Sequence, residues 1–145
     1  SAIRIKGIED VMVRFANCCN PLSGDKVVGF ITRGRGITVH RVECPMTMEI
    51  DPERKVDVEW DTGAAGSRPA KIQVICNDKK GILADISSTI TSSEANITSA
   101  QLKATEDKKA VGIFEVEVGS VDQLQKVIAA LSRLKGVLKV ERLRA

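Results

Sequence analysis

Apolar and polar positions change rhythm near the middle of the chain, and after residue 69 the rhythm is regular. Ala70 to Cys76 alternates, with Ile72, Val74 and Cys76 on one face, which predicts a strand with Cys76 in the core. Ile82, Leu83, Ile86 and Ile90 recur at helical spacing, which predicts a helix capped by Asp78 and ending over 92–96. Residues 97–104 predict a strand, with Ala100, Leu102 and Ala104 on one face. A polar turn at 106–109 leads to a strand over 110–118, with Phe114, Val116 and Val118 inward and Glu115 and Glu117 outward. Ser120 and Gln123 have the spacing of a capping box. Leu124, Val127, Ile128, Leu131 and Leu134 form a second helical stripe, stopped by Gly136, and 137–143 is a last strand. The order β-α-β-β-α-β is the ferredoxin-like unit, two helices over one face of a four-stranded antiparallel sheet. This fold hosts many functions.

The earlier part is less regular. Ile3-Arg4-Ile5 reads as a short strand, and the apolar run over 11–16 as strand or helix. Residues 26–32 and 37–39 flank Arg33-Gly34-Arg35-Gly36 as two strands about a turn whose glycines suit positive φ. Residues 56–60 alternate strictly, as an edge strand does with one face in water. Residues 61–69 are small, glycine-rich and end in proline, which places a domain boundary there. The fold class is therefore α+β, with a small β-rich module and its linker over 1–66 and the ferredoxin-like domain over 67–145.

Composition narrows the partners. The chain has 145 residues, enough for one ordinary or two small domains. No apolar run approaches the ~18 residues of a membrane span. No apolar stretch follows the first charges, so the start does not read as a signal peptide and a cytoplasmic protein is expected. Tyrosine is absent and only three Phe and one Trp are aromatic, which argues against RNA binding by stacked rings. Residues 1–66 carry nine basic and ten acidic side chains, and residues 67–145 thirteen and nine. Within the first part, Lys26, Arg33, Arg35 and Arg41 cluster on the hairpin and an acidic stretch follows it. Two arginines beside glycines suit phosphate contact, or a solvated loop tip.

Candidate chemistry concentrates in residues 18–44. Three of the four cysteines and the one histidine fall there, spaced C-C-x20-H-x3-C. Thiolates and imidazole are donors that Zn²⁺ prefers, and four of them close a tetrahedral site. His40 and Cys44 are four apart, a spacing that shares a face on a helical turn. The hairpin would return them beside Cys18-Cys19, which the following Asn20-Pro21 sets on a turn. The alternatives are three small buried side chains or a strained vicinal disulfide. In the second part, Gly81 sits in the first helical turn, either leaving room for a ligand or another chain or permitting close packing. No phosphate-binding G-x-x-x-x-G-K-[ST] loop or G-x-S-x-G motif is present.

The run from Phe15-Ala16-Asn17-Cys18-Cys19-Asn20-Pro21 through His40-Arg41-Val42-Glu43-Cys44-Pro45 resembles the zinc-finger, or ribosome-intersubunit, module of long RelA/SpoT-family proteins. These are the (p)ppGpp synthetase/hydrolases of the bacterial stringent response. Asp78-x-x-Gly81-Ile82-Leu83 resembles the ACT domain that ends those proteins. The resemblance implies that Cys18, Cys19, His40 and Cys44 bind structural Zn²⁺, and that Arg33, Arg35 and Arg41, with Lys26 on the same hairpin, meet ribosomal RNA. It implies that Asp78, Gly81, Ile82, Asn96 and Ile97 bind an amino-acid effector at a dimer interface. It also implies deacylated tRNA as a partner, a homodimer through the ACT domain, and no membrane partner. The family's catalytic domains have no counterpart here. The expectation is thus a non-catalytic C-terminal portion that relays starvation signals to upstream catalytic domains, with allosteric amino-acid sensing as the alternative.

Overall fold

The computed structural model describes residues 3–5, 11–34, 36–61 and 66–144. Two compact units divide the chain, one within Ser1–Gly66 and the other Ser67–Leu143.

Among the described residues, the first unit has six short strands: β1 (Ile3–Ile5), β2 (Val13–Phe15), β3 (Val27–Ile31), β4 (Ile37–Arg41), β5 (Lys55–Val56) and β6 (Val58–Trp60). The undecided run over 11–16 contributes β2. One sheet runs β2-β4-β3-β5, with β2 parallel to β4 and the other pairs antiparallel. β1 and β6 pair separately as an antiparallel ribbon. The stretch over 56–60 is therefore not one edge strand. It changes partner at Asp57, β5 pairing with β3 and β6 with β1. Ile3, Ile37 and Val39 form the buried centre, flanked by Val13, Phe15, Val56, Val58 and Trp60. Phe15 and Trp60 stack with centroids 5.5 Å apart, and the Trp60 indole N–H donates to the Asp25 carbonyl at 2.9 Å. Gly29 is required by packing: a Cβ there would lie 2.8 Å from Val58 Cγ1 and 2.9 Å from Ile37 Cγ2.

The second unit contains β7 (Arg68–Asn77), α1 (Ile82–Ser92), β8 (Asn96–Ala104), β9 (Lys109–Val118), α2 (Val121–Ser132) and β10 (Val137–Leu143). Its sheet order is β10-β7-β9-β8, antiparallel throughout, as the ferredoxin-like pattern requires. Ile72, Val74, Cys76, Phe114, Val116 and Val118 are buried together with Ile86 and Ile90 of α1 and Leu124, Val127 and Leu131 of α2. Ser120 Oγ accepts from the Gln123 amide, and Gln123 Oε1 reaches back to the Gly119 amide at 2.7 Å.

Two expectations fail locally. Asp78 does not cap α1: the N-cap is Gly81 at φ +85°, with no side-chain cap. Leu83 is exposed, because the buried stripe of α1 is Ile82, Ile86 and Ile90. Ala100, Leu102 and Ala104 do share one face, paired with Phe114, Gly112 and Ala110 on the core side of β9, but Ala100 and Ala104 stay exposed because β8 is an edge strand.

Candidate metal centre

Ala16, Cys19 and Cys44 form a second small buried cluster in the first unit, with Cys18 packed against it. Each donor reaches it by a different local device. The Asn20 amide donates to the Ala16 carbonyl at 3.0 Å and closes a turn around the two cysteines, and Asn20 itself takes φ +44°. His40 comes from β4, paired opposite Val28. Cys44 follows a tight turn in which its amide donates to the Arg41 carbonyl at 3.0 Å. The four-residue spacing of His40 and Cys44 thus works through a strand end and a turn, not through a helical turn.

The donor atoms of Cys18, Cys19, His40 and Cys44 all lie within 4.8 Å of one another. Cys18 Sγ is 3.4 Å from His40 Nδ1 and 3.5 Å from Cys44 Sγ, and Cys19 Sγ is 4.0 Å from Nδ1. A tetrahedral ion with M–S near 2.3 Å and M–N near 2.0–2.1 Å would hold its sulfurs roughly 3.8 Å apart and sulfur from nitrogen roughly 3.6 Å apart. The observed separations bracket these values, so the residues fit a metal ion. All four cysteines are free thiols, which leaves no vicinal disulfide at Cys18-Cys19.

Burial shapes the electrostatics. It pushes the Cys18 thiol up and drives Cys19 up to about 12, with the neighbouring Cys44 adding to both. It lowers the His40 imidazole, which favours the neutral, ligating form. The Arg41 amide opposes the trend at Cys19 by donating to its Sγ at 3.3 Å. Thiolates gathered in so small a space need a compensating cation, and a divalent ion would supply it. The His40 ring also meets the Phe30 ring edge-on at 5.8 Å, which ties the centre to the hairpin.

The basic residues do not form one cluster. Lys26 is exposed at the hairpin base, where the Val42 amide donates to its carbonyl at 2.9 Å. Arg33 is exposed at the tip, about 20 Å away at ~3.3 Å per residue along the strand. Arg35 lies outside the described residues. Arg41 is a correction. Its side chain is only 12% exposed and pairs with Asp25 at 3.8 Å and with Glu43. Charge and the family resemblance grouped it with the contact residues, but its pairing with Asp25 and Glu43 holds it against the ligand turn. The residue missed at the tip is Arg14, whose place between Val13 and Phe15 on an alternating strand turns it outward. It shares with Arg33 a groove of about 500 Å³, also lined by Met12, Thr32, Ile37 and Thr38. Arg54 reaches the same end, its Nε donating to the Ile31 carbonyl at 2.7 Å. Gly34 does not take the expected positive φ. Instead the turn is closed by the Thr32 amide and hydroxyl, both donating to the Gly36 carbonyl.

The effector residues also separate. Asp78 and Gly81 stand at the end of the second unit where Asn77 pairs with Lys109, whereas Asn96 pairs with Glu117. The two positions on β9 are about 27 Å apart at ~3.4 Å per residue. One copy cannot gather these residues into one site. Around Gly81 a Cβ would meet nothing within 4 Å, so the glycine serves its left-handed backbone and not close packing. Ile82 is buried.

Comparison with known proteins agrees with this division. The RelA/SpoT RIS domain family matches residues 3–61, and the ACT domain family matches residues 64–142. A GTP pyrophosphokinase of Myxococcus xanthus is 46% identical over 143 residues, covering 99% of this chain and 19% of that protein. One of Streptomyces coelicolor is 36% identical, covering 95% of this chain and 16% of that protein. The chain spans about a fifth of the length of the curated relatives it matches. Among solved structures, the ACT domain from a GTP pyrophosphokinase of Chlorobium tepidum is 27% identical with a TM-score of 0.48, covering 54% of this chain and 100% of that one.

Proposed function

We propose, on the premise that this chain belongs to the RelA/SpoT family and carries its RIS and ACT domains in succession, that its first unit is a zinc-stapled RNA-docking module. The observation that carries the reading is the convergence of three thiols and one imidazole within 4.8 Å at the base of an exposed hairpin. The two matched domains cover residues 3–61 and 64–142, and neither is a catalytic domain. The chain's role is regulatory, and synthesis or hydrolysis of (p)ppGpp belongs to domains beyond it.

The donor set favours Zn²⁺, since soft thiolates with one imidazole in a small closed site suit that ion. When bound, the ion supplies cross-linking and positive charge. Cys18 and Cys19 fix the turn after β2, while His40 and Cys44 fix the end of β4. The hairpin is then held at its base, and Arg33 and Arg14 stand at the far end. Guanidinium groups on a fixed support suit phosphate contact, which positions an RNA without reading its sequence. The partners in this reading are ribosomal RNA and the deacylated tRNA held with it, and the second unit relays the docked state to the upstream catalytic domains.

The test is binding of the full chain to a structured ribosomal RNA fragment at several salt concentrations. Affinity should fall steeply with salt, and Arg33→Ala and Arg14→Ala should each weaken it and flatten the salt slope. Equal affinity of both variants and the parent would sink the RNA reading.

A second reading is amino-acid sensing by the ACT unit. The bare N-terminus of α1 at Gly81 supports it, since its first amides lack a side-chain cap. It needs two copies of the chain, because Asn96 and Ile97 lie at the other end of the sheet. An amino acid that raises the melting temperature only of the dimer would favour it. No shift with any amino acid would remove it.

A further inference from the structure

Three of the four metal donors are closed to solvent, Cys19 at 1% exposure, Cys44 at 2% and His40 at 7%, while Cys18 is half-buried. The reachable sulfur also lies 3.5 Å from Cys44 Sγ. We propose that Cys18 is an oxidation site, and that a peroxide converts Cys18 and Cys44 into a disulfide that releases the bound metal. This inference rests on the metal reading above.

Geometry selects the pair. A disulfide brings its sulfurs to about 2.05 Å, so the two must close by roughly 1.5 Å. Both side chains sit on turns, Cys18 after β2 and Cys44 after β4, which can yield more readily than the paired strands between them. A bond between Cys18 and Cys19 would close a strained ring of neighbouring residues. Cys19 is further held by the Arg41 amide at 3.3 Å. A small oxidant entering from solvent therefore meets Cys18 first, with Cys44 next to it.

The chemistry balances in two steps. The Cys18 thiolate attacks one peroxide oxygen, the O–O bond breaks, and Cys18 becomes a sulfenic acid as hydroxide leaves and takes a proton from water. The Cys44 thiolate then attacks the Cys18 sulfur. The S–S bond forms, the S–O bond breaks, and a second hydroxide leaves and is protonated. Two thiolates, one hydrogen peroxide and two protons give one disulfide and two waters. The sulfurs lose two electrons and the peroxide gains them. Cys19 and His40 alone then remain as donors, too few to retain the ion.

The experiment treats metal-loaded full chain, carrying Cys76→Ser to remove the thiol of the second unit, with hydrogen peroxide in the presence of a metal-indicator dye. Exposed Met12, Met46 and Met48 gain oxygen under the same treatment, so the bond is read by peptide mapping and not by intact mass. The expected result is one metal ion released for each disulfide formed, the bond joining Cys18 to Cys44, and recovery on adding reductant and metal. Metal that stays bound through the treatment overturns the proposal. So does release with the bond at Cys18–Cys19 or Cys19–Cys44, or with only oxygen added to cysteine. Absence of metal before peroxide is added instead removes the metal reading, and this proposal with it.

Discussion

Gly29 offers the sharpest test of how the first unit is packed. It sits in β3 opposite Val39, one residue along β4 from His40. An alanine Cβ would stand 2.8 Å from Val58 Cγ1, 2.9 Å from Ile37 Cγ2 and 3.0 Å from Val56 Cγ2. Carbon pairs are at ease near 3.5–4.0 Å, so each methyl must withdraw by roughly 0.5–1 Å. All three belong to β-branched side chains on strands, stiff at χ1, so the clash cannot be relieved by one rotamer change. Overpacking of this kind costs about 1–3 kcal/mol. Alanine restricts the unfolded chain and returns about 0.4–1 kcal/mol where the backbone tolerates it. The net expectation for Gly29→Ala is a loss of about 1–2 kcal/mol. Trp60, the one tryptophan of the chain, stacks on Phe15 in the same unit, so its fluorescence follows this unit during urea unfolding. A melting temperature lower by roughly 5–15 °C is the equivalent for a unit of this size. An unchanged midpoint would mean that β6 does not pack over β3 as described.

Four further outcomes are expected. Gly81→Ala should cost about 1–2 kcal/mol in the second unit, from the left-handed backbone alone, because the space around it is open; chemical denaturation followed by circular dichroism measures it. Arg41→Ala should lower the unfolding free energy read from the Trp60 transition by about 1–3 kcal/mol, since it strips a charged partner from Asp25, whose side chain is 9% exposed. Arg33→Ala, at an exposed tip, should stay within about 0.5 kcal/mol of the parent in the same assay. The Cys76 thiol is pushed up by burial and by the charge of Asp78, so its thiolate is scarce at neutral pH. Its alkylation should be slow in folded protein, rise only above the ordinary thiol range, and become fast on unfolding, as peptide mapping would show.

Much of the second unit can be read from periodicity because its helices and its central strands each bury one continuous face. Burial is harder to read at the edge strand: Ala100 and Ala104 share the inward face with Phe114 and Ala110, yet stay exposed because β8 has a neighbour on one side only. In the first unit the strands are too short for periodicity to fix their partners. Residues 56–60 alternate perfectly, yet the chain changes sheets at Asp57. The metal donors are legible because cysteine and histidine are rare here and their chemistry is narrow. Arg41 is not, because its burial depends on Asp25, sixteen residues earlier in sequence. Asn96 and Gly81 lie at opposite ends of one sheet, a fact of register that no motif spacing reveals.

The central claim is a metal staple at the hairpin base, and elemental analysis of the full chain, purified without added metal or a histidine tag, tests it most directly. The account predicts about one zinc per chain, lost in Cys44→Ser together with stability of the Trp60 transition. Well-folded parent protein without metal, with a Cys44→Ser variant that unfolds at the same midpoint, would contradict it. Cys18, Cys19 and Cys44 would then be only small buried side chains.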